Sequence, residues 1–161
     1  MDAQAAYESV FSLWGAIMGG GNIIQHAAGW LEGGLVASYE KFALDVDLLQ
    51  MVMEFLKPLE VSDATMGFDA MQEVGPGGHF FGAQHTLARY SNAFYAPIIS
   101  DWRNSQQWEA AGKPEAMQRA NTVYKQALEE YVEPALDPAR REELDAFVER
   151  RKREGGAPTD F

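Results

Sequence analysis

The sequence predicts a mainly helical fold with one or two short strands, and three observations support this fold class. Long stretches of the 161-residue chain repeat apolar side chains with the period of an α-helix. Glycines end several of these stretches. One short glycine-bounded run, residues 22–27, is partly β-branched and is the best strand candidate. Because one strand alone would leave unpaired backbone groups at its edges, the pattern indicates a piece of a larger α/β layout followed by helices.

The first two predicted helices are the longest in the N-terminal half. The first covers residues 2–18 and ends at Gly19–Gly21. The second covers about 37–57, and its apolar stripe is so wide that few positions are left for water. Such a helix is expected to pack on more than one side, so we expect it to be the longest buried helix. Its primary stripe consists of Tyr39, Phe42, Val46, Leu49, Met53 and Leu56.

Shorter helices are predicted along the rest of the chain. Ser62 can cap a helix over 63–73, which Gly75 can end. Asp137-Pro138 gives a cap followed by proline at the first helical position, and it opens a charged final helix. The tail from residue 155 to residue 161 is expected to fray. The remaining predicted helices cover 86–95, 104–111, 114–132 and 137–153.

Composition restricts the classes of function. The apolar fraction is 47% and the net charge is −11, which predicts a folded domain and disfavours nucleic acid as a partner. The absence of cysteine excludes disulfides, thiolate metal sites and cysteine nucleophiles. No apolar run approaches the ~20 residues of a membrane span, and the N-terminus lacks a basic secretory region. We therefore expect a cytoplasmic protein that does not enter a membrane.

A first glycine-rich run, Gly29–Gly34, follows the predicted strand and carries ionisable and aromatic side chains. A histidine at the end of a barrel strand often faces the active site, so His26 is a candidate; the alternative is a core histidine bonded to backbone. Trp30 and Glu32 lie where a barrel would place a βα loop of the active-site face. The alternative for these two residues is a turn with a solvated glutamate.

A second glycine-rich run, Glu73–Phe80, contains a Gly-Pro-Gly-Gly segment that cannot form regular structure. His79, Phe80 and His85 surround that segment and suggest a loop that covers a pocket. A purely structural loop is the alternative. A metal site is disfavoured because the histidines lack the helical spacing of known metal motifs.

The order of these runs resembles the C-terminal part of the trimethylamine methyltransferase family, which comprises corrinoid-dependent enzymes. The resemblance extends over nearly the whole chain. The stretches that carry it are Asp2–Glu8, Gly21–Gly34, Ser38–Phe42, Glu73–Phe80, His85-Thr86 and Trp108–Gly112.

The resemblance implies a fold and a chemistry. Members of the family are (β/α)₈ barrels that move a methyl group from a methylated amine, such as trimethylamine or glycine betaine, to Co(I) of a corrinoid. That corrinoid (cobalamin) is held by a separate partner protein, so no cofactor or metal is expected on this chain. Residues 1–57 would be the last βα units of the barrel, and residues 58–161 a C-terminal loop and helical extension. The earlier strands would come from a complementary barrel chain, and the alternative is self-association that covers the apolar surface of helix 37–57 and the strand.

The same resemblance directs the choice of site residues. Glu32 and His26 are the first candidates for the catalytic positions. Trp30, His79, Phe80 and His85 are the candidates for substrate binding, since aromatic rings can hold a methylated ammonium by cation–π contact. A non-catalytic helical module that binds a partner protein remains the alternative.

Overall fold

The computed structural model describes residues 2–155 and is mainly helical, with one two-stranded sheet. The chain divides into two compact units, Met1–Leu128 and Glu129–Phe161. The frayed tail expected from residue 155 lies, from residue 156 onward, outside the described residues. In chain order the elements are α1 (Ala3–Met18), β1 (Trp30–Leu31), β2 (Val36–Ala37), α2 (Tyr39–Phe55), α3 (Asp63–Met66), α4 (Phe68–Val74), α5 (Gln84–Leu87), α6 (Ser105–Ala110), α7 (Ala116–Glu129) and α8 (Pro138–Arg153).

Most predicted helices are confirmed, and their capping residues explain the bounds. Asp2 caps α1, and Ser38 caps α2 by accepting a hydrogen bond from the Lys41 amide. Ser62 caps α3 as expected. The helix predicted over 63–73 is divided into α3 and α4 because Gly67 adopts a left-handed φ of 64°.

Two of the local predictions were wrong. Residues 22–27 form an irregular segment rather than a strand, because His26 has a φ of 55°, which no extended strand allows. The sheet lies further along, where β1 and β2 pair antiparallel with Trp30 opposite Ala37. The helix predicted over 86–95 is reduced to α5, and turns follow Leu87.

Helix α2 is the longest helix of the described chain, but the prediction of its buried face was wrong. Its buried positions are mainly polar: Lys41, Asp45 and Asp47 are at most 2% exposed. The predicted stripe points largely to solvent, with Phe42 52% and Met53 69% exposed. An apolar helix therefore turns its charged side chains inward within this chain.

The small apolar core of the first unit lies where α2, α7 and the segment before α6 meet. Ala43, Ile99 and Ala120 are buried there, and Leu44 and Val123 pack against them.

A buried carboxylate fixes the segment 95–100 to α2. Asp47 accepts hydrogen bonds from the Ile98 amide at 2.7 Å, the Ser100 amide at 3.0 Å and the Tyr95 hydroxyl at 3.1 Å. Desolvation would raise the pKa of Asp47, but these hydrogen bonds stabilise the charged form and together hold the pKa below its usual value. Asp47 is therefore a charged carboxylate that is held by backbone amides and a hydroxyl group and not by a cation.

Candidate functional site

A pocket of about 310 Å³ lies between α1, the loop over residues 24–34 and α2. Its walls combine carboxylates, hydroxyls, a histidine, a tryptophan and a lysine with apolar side chains. The polar and aromatic lining residues include Glu8, Ser9, His26, Trp30, Glu32, Lys41 and Asp45. A concave site with a few converging polar groups is the usual form of a small-molecule site.

Three of the six sequence-predicted site residues line this pocket together. His26, Trp30 and Glu32 all belong to the loop over 24–34. The ring centroids of His26 and Trp30 are 5.3 Å apart, with the planes tilted by 50°. An aromatic face, an imidazole and a carboxylate thus meet at one cavity, which can hold a small cation.

The backbone of the same loop adopts a rare conformation at two of these residues. His26 has φ 55° and Glu32 has φ 50°, in the left-handed region that residues other than glycine seldom enter. Within residues 2–155, Lys113 is the one further non-glycine residue with positive φ. Such conformations persist where the surrounding structure imposes them, and they cluster at functional sites.

The loop approaches α2 closely at Gly29. The Gly29 amide donates a hydrogen bond of 2.9 Å to Oδ2 of Asp45, and its carbonyl accepts one from the Ser38 amide at 2.9 Å. Gly29 has φ 86°, and a Cβ at this position would lie 3.2 Å from Cβ of Phe42. Only glycine meets both demands without strain.

Behind the loop, Asp45 forms a buried ion pair with Lys41. The Lys41 ammonium lies 2.7 Å from Oδ1 and 2.5 Å from Oδ2 of Asp45, and it donates to Oγ of Ser9 at 2.6 Å. The pair therefore connects α1, α2 and the loop. Sequence reasoning missed these three residues because Lys and Asp at i and i+4 are typical of an exposed helix face. For Lys41 and Asp45, the available signal was their position among the apolar residues of α2.

The other three predicted residues do not line this pocket. The ring of His79 lies 5.7 Å from that of Phe81. Phe80 opens a short 3₁₀ turn and is exposed. The Nε2 of His85 is 2.9 Å from the Ala64 carbonyl oxygen. Their assignment to substrate binding remains a prediction.

A second cleft, of about 510 Å³, is lined by Asp101, Arg103, Trp108 and Arg119. Arg103 binds Asp101 through both carboxylate oxygens, at 2.8 and 2.5 Å, and this pairing lowers the pKa of Asp101 to about 2. Arg119 donates to the carbonyls of Ile99 and Pro114. Because these charges bind one another and the backbone, the cleft is explained by its structural contacts.

Within residues 2–155, no group of three His, Asp or Glu side chains is placed to hold a metal ion. Over the same residues, no helix has both the length and the apolar character needed to cross a membrane.

Comparison with known proteins identifies the family to which the chain belongs. Residues 1–156 match the model of the trimethylamine methyltransferase (MTTB) family. The chain belongs to this family. It is 40% identical over 156 residues to a glycine betaine methyltransferase of Desulfitobacterium hafniense (strain Y51), an alignment that covers 97% of this chain and 32% of the relative.

Further members of the trimethylamine methyltransferase family align over nearly the same range. Trimethylamine methyltransferase MttB of Desulfitobacterium hafniense (strain DSM 10664 / DCB-2) is 28% identical over 155 residues, which are 96% of this chain and 31% of that protein. MttB2 of Methanosarcina mazei is 28% identical over 154 residues, which are 94% of this chain and 30% of that protein. The chain thus spans about a third of the length of the relatives it matches.

Proposed function

We propose that this chain is the C-terminal part of a methyltransferase that moves a methyl group from a methylated amine to Co(I) of a corrinoid (cobalamin) on a partner protein. Trimethylamine and glycine betaine are the substrates that the relatives' names suggest. The observation that carries the proposal is the family match over residues 1–156 of a chain whose pocket is lined by His26, Trp30 and Glu32. We place the assembled enzyme in the cytoplasm.

The residues of the pocket suit a methylated ammonium. The Trp30 face attracts a cation through its quadrupole, and the Glu32 carboxylate attracts it by charge. The corrinoid supplies the methyl acceptor. As the methyl group departs, the C–N electron pair stays on nitrogen, so a quaternary amine such as glycine betaine leaves as a neutral tertiary amine, and trimethylamine, reacting in its protonated ammonium form, leaves as neutral dimethylamine. The work left to His26, Trp30 and Glu32 is to orient the methyl group toward the acceptor, which can supply much of a rate enhancement.

We infer that the chain needs further polypeptide to form a complete site. The first unit exposes large apolar side chains along α2, among them Tyr39 at 65%, Phe42 at 52% and Met53 at 69%. Side chains of this kind are normally covered in a folded protein, so this face calls for a contact. A complementary barrel chain is the expected source of the missing contacts, and self-association is the alternative.

Helix α1 presents an apolar stripe suited to such contacts. Tyr7, Phe11, Trp14 and Met18 follow one another at helical spacing and are all exposed, with Phe11 at 74%. Apolar patches of this kind are rare on stable monomers and mark interaction surfaces. On this proposal His79, Phe80 and His85 join the substrate site when the rest of the barrel is present.

The test is methylation of a corrinoid protein by this chain combined with a polypeptide that corresponds to the first two-thirds of the glycine betaine methyltransferase relative. The cobalt absorption spectrum reports methyl transfer, with trimethylamine and glycine betaine offered separately. We expect Glu32→Gln to lower kcat/KM about tenfold, because losing roughly 1.4 kcal/mol of cation stabilisation has that effect. The matched control is Glu142→Gln, which removes an exposed glutamate from α8.

The outcomes separate the two candidate functions. Unchanged activity in Glu32→Gln would remove Glu32 from the site while leaving the family reaction intact. Complex formation without methylation by any amine tested would overturn the enzyme proposal and favour a non-catalytic helical module that binds a partner protein.

A further inference from the structure

We propose that Asp45, held in place by Lys41, is a positioning residue that fixes the loop over 24–34 at the candidate site. The inference deepens the proposed function and rests on it for the identity of the site. Ser9, Lys41 and Asp45 link α1, α2 and the loop. Their role in placing the loop can be tested without any assay of methyl transfer.

The contacts form one continuous chain from helix to loop. Asp45 is 2% exposed, and its Oδ2 accepts a hydrogen bond of 2.9 Å from the Gly29 amide. Gly29 lies sixteen positions earlier in the sequence. Gly29 directly precedes Trp30, and both His26 and Glu32 lie within three residues of it. A shift of this single amide would therefore displace all three pocket residues of the loop.

Lys41 sets the direction of the Asp45 carboxylate. Its ammonium binds both carboxylate oxygens and also donates a hydrogen bond to Oγ of Ser9 in α1. Lys41 also lines the pocket, but its charge is already neutralised by Asp45, so it acts on the loop through that carboxylate.

Stability alone does not account for a buried ion pair at this position. The cost of removing two charges from water often exceeds their mutual attraction, and apolar residues of similar volume can replace such pairs without loss of stability. The feature that an apolar replacement cannot reproduce is the acceptor for the Gly29 amide. That difference points to loop placement as the role of the pair.

The distinguishing variant is the double substitution Lys41→Met/Asp45→Leu, which fills the space but removes the acceptor. The control is Lys57→Met/Glu54→Gln, which removes an exposed ion pair at the end of α2. The full chain is labelled with 5-fluorotryptophan, and the fluorine resonance of Trp30 is assigned with Trp30→Phe. The resonances of Trp102 and Trp108 serve as internal references.

We expect the Trp30 resonance to shift or broaden in Lys41→Met/Asp45→Leu while the references and the control variant stay as in the parent chain. An unchanged Trp30 resonance would overturn the proposal. So would equal changes at Trp30, Trp102 and Trp108, because these would show a general structural role.

A second readout ties loop placement to the reaction in the complemented enzyme. We expect the double variant to lower kcat about tenfold with less change in KM, since the pocket residues stay present but are misplaced. An unchanged kcat would overturn the positioning role in catalysis. If the parent complex methylates no amine but the double variant still shifts the Trp30 resonance, the loop placement is supported and the proposed function is refuted.

Discussion

The two glycine-rich loops of this protein are alike in sequence and differ in how they are held. The loop over 24–34 donates a hydrogen bond to Asp45 of α2, and the side chains of the loop line a pocket. The loop over 75–82 makes hydrogen bonds between near neighbours, such as the Gly78 amide with the Gly75 carbonyl at 3.4 Å. Both contain glycines with positive φ, a histidine and at least one further aromatic side chain.

The two loops therefore differ in how their backbones are anchored, and not in the sequence pattern of glycine near aromatic and ionisable residues. In the first loop a buried carboxylate from a distant helix holds the backbone where His26 and Glu32 adopt left-handed φ. A rigid element that positions loop residues is the general requirement for a precise site. The comparison predicts that substitutions at anchored positions have larger effects than equivalent ones in the second loop.

The largest effect is expected at Asp47, the other buried anchor of α2. Asp47→Asn replaces one acceptor oxygen by a donor that faces a backbone amide, so about 3 kcal/mol of unfolding free energy should be lost at neutral pH. Asp69→Asn, an exposed change in α4, should cost less than ~1 kcal/mol. Urea unfolding of the full chain measures both changes.

The pH dependence of this effect has a definite sign. Because the folded pKa of Asp47 is lowered, its contribution is fully present above the unfolded value of about 3.9 and is lost as pH falls through the folded pKa. The parent chain and Asp47→Asn should therefore converge in stability as pH falls below about 4. A constant difference between pH 7 and pH 3 would show that folding does not lower the pKa of Asp47.

A matched pair of glycine substitutions tests the two loops directly. Gly29→Ala forces a left-handed φ on alanine and brings its Cβ to 3.2 Å from Cβ of Phe42, whereas Gly77→Ala meets nothing within 4 Å at φ 75°. We expect losses of about 2 kcal/mol for Gly29→Ala and about 1 kcal/mol for Gly77→Ala. Equal losses, measured by the same urea unfolding, would show that the close approach to α2 relaxes freely.

The parts of this structure that were predictable from sequence are those governed by local rules. Apolar periodicity and capping residues predicted α1, α2, α7 and α8, and Ser62 predicted the start of α3. Local rules also identified the glycine-rich loop that contains Trp30 and Glu32, whereas they placed His26 in a strand that does not form.

The parts that were not predictable depend on contacts between distant residues. The Asp45–Gly29 bond joins residues sixteen apart, and no local pattern indicates it. The inward direction of Lys41, Asp45 and Asp47 reverses the usual rule that apolar stripes are buried. The exposed apolar side chains of α2 and the irregular segment at 22–27 therefore could not be predicted from local pattern alone.

The smallest effect concerns His79 in the second loop and tests whether the contrast between the loops persists in the complemented enzyme. His26 lines the pocket, so His26→Gln should lower kcat/KM about tenfold in the corrinoid methylation assay. If the second loop only covers the assembled pocket, His79→Gln should change kcat/KM by threefold or less, mainly through KM, since KM alone changes when binding in the ground state and the transition state is lost equally. Unfolding free energies should move by less than ~0.5 kcal/mol in His79→Gln, because His79 is exposed and its ring contact is with Phe81. A loss of kcat as large as that of His26→Gln would show that both loops reach the reacting methyl group and that the missing polypeptide, rather than Asp45, brings the second loop to the site.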